Sequence, residues 1–256
     1  MKFTQIRNAT VKLQYAKKSF LIDPVLAHKN AYAGFKGTLN EHINWPTVDL
    51  PCDIDSILDV DAIIITHTHP DHIDDAAFKL IPKNMLLFVQ NEQDKVFIKE
   101  KGFTNIRILD GNTIFEGINI SITKGQHGSD EIMEVLSQRL GVVSGFVLQH
   151  KDEKTLYLAG DTVWNSDVED AINTYKPEII ILNAGDAQIP KLGSIIMGKK
   201  DTLKAHKLAP NATIIATHLE AVNHAALSRI ELRKYIKQNN IEKYVLVPED
   251  GESFKI

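Results

Sequence analysis

The sequence predicts an α/β fold with strands in both halves of the chain, and three observations carry that reading. Short β-branched runs such as DAIIIT, EIIIL and TIIAT alternate with polar stretches of helical spacing from Asp61 onward. Ahead of them, FTQIRNATVKLQY and FLIDP alternate polar and apolar residues in period two, the pattern of an antiparallel meander ended by Asp23-Pro24. The chain has 256 residues, 43% hydrophobic and 24% charged, enough to bury one sizeable core. With no internal repeat and no linker rich in Gly, Ser or Pro, residues 1–256 read as one domain.

Residues 25–60 lose the strand pattern and carry Gly34, Gly37, Pro46, Pro51 and the aromatic residues Tyr32, Phe35 and Trp45. A connection that long inside a folded domain is usually functional, and its aromatics suggest a pocket wall. DAIIIT is then a strand, HIDDAAFKL a short helix and MLLFVQ a strand. NEQDKVFIKEKG is a helix with Asn91 as N-cap and Gly102 past its end. IRIL, a TIFEGINISIT hairpin, SGFVLQH and KTLYLAG follow as strands, then a helix at SDVEDAINTYK. EIIIL and TIIAT are strands separated by the helix KDTLKAHKLA. A capping box from Ser228 to Glu231 opens the last helix, before YVLV.

Composition removes several classes of function. The net charge is -4 and no run of Lys or Arg exceeds a pair, so a nucleic-acid partner is not expected. No apolar run reaches the roughly 18 residues of a membrane span, and MKFTQIRNATVKLQY has no signal-peptide apolar region. The one cysteine, Cys52, allows no intrachain disulfide, which fits a cytoplasmic location. Its neighbours, LPCDID, offer no catalytic partner, so it reads as a loop or core thiol.

The chemistry lies where apolar strands stop. In IIITHTHPDH the buried run is followed at once by His67, His69, Asp71 and His72. INISIT leads through Lys124 to His127, LYLAG stops at Asp161, and TIIAT stops at His218. One histidine after a strand is usually a hydrogen-bonded boundary residue. Four strand ends delivering imidazole and carboxylate are different, because such groups at a core edge are costly without a cation to compensate them. They are also the ligands that zinc and similar divalent metals take. His67 and His69, one residue apart in extended chain, point the same way and can share a metal. After Pro70 the chain is expected to enter a helix, which turns Asp71 and His72 towards a second one.

THTHPDH resembles the HxHxDH signature of the metallo-β-lactamase superfamily, and His127, LAGDT and the late ATH follow in that family's order. The likeness runs from IDP in the meander to His218, and the plain layout is similar to the branch with the ascorbate-phosphate lactonase and phospholipase-D-like members. The resemblance implies a four-layer αββα sandwich, two mixed β-sheets flanked by helices. It further implies that His67, His69 and His127 hold one metal, that Asp71, His72 and His218 hold the other, and that Asp161 bridges them with a hydroxide between. His224 in HLEAVNH is the alternative to His218. The family often continues DHxGG where this chain has DHIDD. Asp74 and Asp75 are therefore either partners for imidazole N–H groups or carboxylates at a helix N-terminus. His69 stands where the diiron flavoprotein branch has Glu, which favours hydrolysis over oxygen reduction. The chain has no room for the nuclease insertion of the RNA-cleaving branch.

The function implied is that of a metal-dependent hydrolase using a metal-bound hydroxide at a dinuclear site, with a small ester or lactone as its small-molecule substrate. Asp71 and Asp161 are the candidates to steer the nucleophile and carry protons. The cofactors expected are two divalent ions, zinc first, with manganese or iron as alternatives. The competing readings are a phosphodiesterase for a small phosphodiester and a non-catalytic metal-binding sensor; a purely structural site needs only four ligands, against seven here. Residues 25–60 and 129–145 flank the site. Tyr32, Phe35, His42, Trp45, Met133, Met197 and Asn183 are candidate substrate contacts, Asp186 is a candidate support, and Lys36 and Lys124 are too generic to mark a phosphate site. His28, His150 and His206 read as ordinary loop or helix residues.

Overall fold

The computed structural model describes residues 1–256. The N-terminal meander comprises β1 (Lys2–Arg7), β2 (Thr10–Tyr15) and β3 (Lys18–Ile22), all antiparallel. Its second turn uses positive φ at Ala16 and Lys17, the backbone of a type I′ hairpin. A long connection containing α1 (Ile54–Leu58) leads to β4 (Ala62–Ile64), α2 (Asp75–Leu80), β5 (Leu87–Val89), α3 (Glu92–Glu100) and β6 (Ile106–Ile108). Then come β7 (Thr113–Phe115), β8 (Ile118–Lys124), α4 (Asp130–Leu140), β9 (Ser144–Gln149), β10 (Leu156–Leu158), α5 (Ser166–Tyr175) and β11 (Ile179–Asn183). A small hairpin of β12 (Gln188–Ile189) and β13 (Gly193–Ser194) precedes α6 (Lys199–Leu208), β14 (Thr213–Thr217), α7 (Arg229–Gln238), β15 (Val245–Leu246) and β16 (Ser253–Lys255).

Two seven-stranded sheets result, ordered β16-β1-β2-β3-β4-β5-β6 and β15-β14-β11-β10-β9-β8-β7. Both are mixed for the same reason. Strands joined by hairpins are antiparallel, whereas those joined by helical crossovers, such as β4-α2-β5 and β10-α5-β11, are parallel.

Alternation along each strand explains the unbroken apolar runs. In β4 and its extension, Ile64 faces the second sheet, while Ile63 and Ile65 face the helices outside. In β11, Ile179 and Ile181 face the first sheet, while Ile180 and Leu182 pack on α5 and α7 through Ile172 and Leu232. Such strands are buried on both faces and need no polar side, and each buried Ile contributes roughly 1.5–3 kcal/mol. The layers are helix, sheet, sheet, helix: the αββα sandwich.

Several elements depart from the sequence reading. HIDDAAFKL is helical only from Asp75, with Asp74 as N-cap, so Asp71 and His72 lie in a turn closed by His72 and Ile73 N–H groups on the His69 carbonyl. The flanking segment 129–145, given no secondary structure in the sequence reading, holds α4, capped by Ser129, with only Ile132 and Leu140 fully buried. α1, the β12–β13 hairpin and β16 are short pieces fixed by tertiary contacts; β16 pairs with β1. No helix is long and apolar enough to cross a membrane.

Candidate metal centre

The loop after β4 is held in place by neighbours distant in sequence. Asp23, in a left-handed turn at φ 48°, accepts from the Thr66 amide at 2.8 Å and from its hydroxyl at 2.7 Å. Ser144 at the start of β9 donates to the Thr66 carbonyl at 3.0 Å, tying the two sheets together beside the site. Asn8, at φ 56° between β1 and β2, donates from Nδ2 to the Asp71 carbonyl at 2.8 Å. Its own carbonyl accepts from the His218 amide at 3.0 Å. One turn therefore clamps the first and last segments of the site together.

All seven sequence candidates meet there. Potential ligand atoms lie within 4.8 Å of one another in three groups: His67, His69 and His127; Asp71, His72 and His218; and His67, His72 and Asp161. Asp161 Oδ2 is 3.1 Å from His72 Nε2 and 3.7 Å from Nε2 of both His127 and His218, so it touches the first two groups. Asp71 Oδ2 is 3.6 Å from His218 Nε2 and 3.8 Å from His224 Nε2. His218 thus sits among the grouped atoms and His224 one step outside them. Only His69 of the seven is half-buried; the rest are buried.

The inward direction of these groups is set from behind. His72 Nδ1 donates to Asp23 Oδ2 at 2.8 Å and His127 Nδ1 donates to the Ile195 carbonyl at 2.8 Å, which turns each Nε2 inward. Asn183 Nδ2 donates to Asp161 Oδ1 at 2.6 Å, leaving Oδ2 free. His218 adopts φ 60°, an uncommon conformation for a non-glycine residue and one concentrated at functional sites.

The electrostatics match the geometry. Burial, with the neighbouring His72 and His69, pushes His67 well below the usual imidazole range, and burial lowers His127. Burial opposes the charges on Asp161 and Asp71, but the surrounding imidazoles outweigh it and hold both carboxyls far below their ordinary range. Burial likewise opposes charge on His72, yet the Asp161 and Asp23 carboxylates hold it well above the usual imidazole value. Ionised carboxylates with converging imidazoles are the donor set a divalent cation takes. Both ring nitrogens of His218 are buried without a hydrogen-bond partner. Each such orphan costs about 1–3 kcal/mol unless something accepts its lone pair. The residues fit a metal.

Above these groups lies a cavity of about 240 Å³, walled by Phe35, Leu140, Ile189 and Ile195, with Arg139 its only Lys or Arg. That guanidinium is exposed and donates to the Lys36 carbonyl at 2.6 Å. Among the candidate contacts, Phe35 reaches the cavity and stacks on buried Trp45 at 4.9 Å, while Tyr32 packs on Trp45 from another side. Asn183 acts through Asp161, Met197 is in the helical core, Met133 lies on α4 and packs against the cluster that holds Ile189 and Ile195, and His42 is exposed. Lys36 and Lys124 are exposed, and Cys52 is an exposed thiol. Asp186 accepts from Ser194 Oγ at 2.5 Å and Gln188 Nε2 at 3.2 Å, holding the hairpin that supplies Ile189. Of the two readings of Asp74 and Asp75, the helix-terminal one holds: Asp74 accepts from Ala77, Leu26 and Ala27 amides, and Asp75 is exposed. Asp23 and Asn8 were not singled out by the sequence. For Asp23 the signal was present, since FLI is one more apolar strand ending in a carboxylate.

A model of the β-lactamase superfamily domain matches residues 18–219. UPF0173 protein YddR of Bacillus subtilis is 52% identical over 255 residues, 99% of each chain. Among solved structures, an isothiocyanate hydrolase from Delia radicum gut bacteria is 48% identical with a TM-score of 0.98, covering 100% of this chain and 99% of the other. A structure described as a possible metal-dependent hydrolase from Veillonella parvula is 47% identical with a TM-score of 0.99, over the same shares.

Proposed function

The chain belongs to the β-lactamase superfamily, and we propose that it is a metal-dependent hydrolase of a small, uncharged carbon electrophile, an isothiocyanate first and an ester or lactone second. The observation that carries this reading is the convergence of seven candidate ligand side chains, three of which, His69, Asp71 and His127, line a cavity with apolar walls. In this reading His67, His69 and His127 would hold one divalent ion and Asp71, His72 and His218 the other, with the Asp161 carboxylate within reach of both sets and zinc the ion best suited to the donor set. When bound, the pair supplies an activated water and a Lewis-acid contact to the electrophile.

The protein's own groups do the rest. Asp71 Oδ2 at the cavity and Asp161 Oδ2 among the histidines behind it are ionised acceptors, placed to orient the attacking water and take its proton. Phe35, Leu140, Ile189 and Ile195 exclude bulk water and receive the apolar substituent. For an isothiocyanate, R–N=C=S, water adds its oxygen to the central carbon and its two protons to nitrogen and sulfur. The thiocarbamic acid then breaks its C–N bond, the S–H proton passing to nitrogen, to give an amine and carbonyl sulfide. The solved isothiocyanate hydrolase at 48% identity supports that substrate. A charged phosphodiester would want free cationic side chains, and the one at this cavity is engaged with a backbone carbonyl.

The test is turnover of benzyl isothiocyanate, a γ-lactone panel and bis(p-nitrophenyl) phosphate by metal-loaded and chelated protein. Hydrolysis of the carbon electrophiles, abolished by chelation, is expected. Turnover of the phosphodiester alone, or undiminished activity in chelated protein, overturns the reading.

A further inference from the structure

We propose that His224 is a catalytic residue, its Nε2–H donating a hydrogen bond to the substrate heteroatom that gains negative charge when water adds to the neighbouring carbon. The inference rests on the reading of the site as a hydrolase. His224 lies in the turns between β14 and α7 and is 6% exposed, yet it lines the cavity beside His69, Asp71 and His127. It belongs to none of the three groups of converging ligand atoms.

Its backbone is fixed by neighbours on both sides, and one aromatic ring packs against the imidazole. The Gln188 amide donates to its carbonyl at 3.0 Å, and Ala225 pairs with Ala187. The preceding Asn223 donates to Thr38 Oγ1 at 3.0 Å and to the Leu39 carbonyl at 2.8 Å, and accepts from the Phe35 amide at 3.1 Å. The Phe35 ring meets the imidazole edge-on, at 5.0 Å and 81°. The two nitrogens face different surroundings. Nδ1 is buried with no partner, so a proton there would be stranded. Nε2 faces Asp71 Oδ2 at 3.8 Å, too long for a hydrogen bond but in the direction of the cavity floor. The favoured tautomer therefore presents N–H towards the reacting groups.

This separates two jobs. Asp71 and Asp161 orient water and take its proton, while His224 stabilises the charge that appears across the scissile carbon: on nitrogen or sulfur of an isothiocyanate, on oxygen of an ester. Donors aimed at developing charge in a dry site typically contribute a factor of 10² to 10³ in rate. Simple packing does not explain the residue, since Phe or Leu would fill the space without an orphaned nitrogen.

The experiment compares metal-loaded wild type, His224→Phe and His224→Gln, the last retaining an N–H donor. It measures metal content, kcat and KM with benzyl isothiocyanate and a lactone, and the affinity for phenylacetate, whose carboxylate mimics the charged state without turnover. Expected for His224→Phe is a kcat lower by about 100-fold, phenylacetate binding weaker by about 10-fold, and unchanged metal content and KM, with both losses largely restored in His224→Gln. Loss of metal in either variant makes His224 a ligand and overturns the proposal; so does unchanged phenylacetate affinity in His224→Phe. If wild type turns over none of the substrates, the hydrolase reading fails, while the phenylacetate comparison still decides whether His224 donates to a bound anion.

Discussion

Asp23 Oδ2 accepts a hydrogen bond from His72 Nδ1 at 2.8 Å, and neither side chain is more than 1% exposed. The bond fixes which nitrogen of His72 faces the other ligand groups. Asp23→Asn keeps the left-handed turn, which Asn tolerates, but removes the charge behind the imidazole. The expected result is a folded protein whose metal affinity is 10- to 100-fold weaker, read by competition with a chromophoric chelator. Unchanged affinity would show that Asp23 serves only the Thr66 turn.

Gly185 follows β11, and a Cβ there would lie 2.0 Å from the His218 carbonyl oxygen. That obstacle is backbone, which cannot swing aside. Gly185→Ala is expected to lower stability by about 1–3 kcal/mol through forced backbone shifts and to reduce bound metal, because His218 must move. Urea midpoints and metal content check this, with Gly111→Ala as control, since nothing lies within 4 Å of a Cβ there. A normal metal complement in Gly185→Ala would contradict it.

Acid should destabilise the metal-free protein in a defined window. Burial pulls His224 down to about 4, whereas an unfolded imidazole titrates near 6.5. Between those values only the unfolded chain binds the proton, so stability is full above pH ~6.5 and falls as pH drops towards ~4. The contribution is on the order of 3 kcal/mol at one pKa unit per 1.36 kcal/mol. Denaturant midpoints of wild type should fall more steeply with acid than those of His224→Phe. Parallel curves would remove His224 from the linkage.

How legible the molecule was in its sequence depended on what kind of contact each residue makes. Runs such as Ile63–Ile65 and Ile179–Leu182 announce strands buried on both faces, and the His and Asp residues just beyond such runs announce the centre. Those signals are local. Asn8 was not visible as a site residue because its role comes from joining the β1–β2 turn to Asp71 and His218 across the fold, at separations no short motif encodes, whereas Asp23 ends an apolar strand as the other site residues do and was read only as the close of the meander. α4 escaped notice because charged residues surround a narrow apolar face in which only Ile132 and Leu140 are fully buried. His224 read in sequence as a competitor of His218; the distances to Asp71 and Asp161 separate the two.

The most direct test is the metal stoichiometry of carefully purified protein, before and after reconstitution, by elemental mass spectrometry. Two divalent ions per chain are predicted for wild type, and fewer for Asp161→Ala, whose carboxylate touches both groups of histidines. A folded wild-type chain that takes up no divalent ion would contradict the proposed centre at its root.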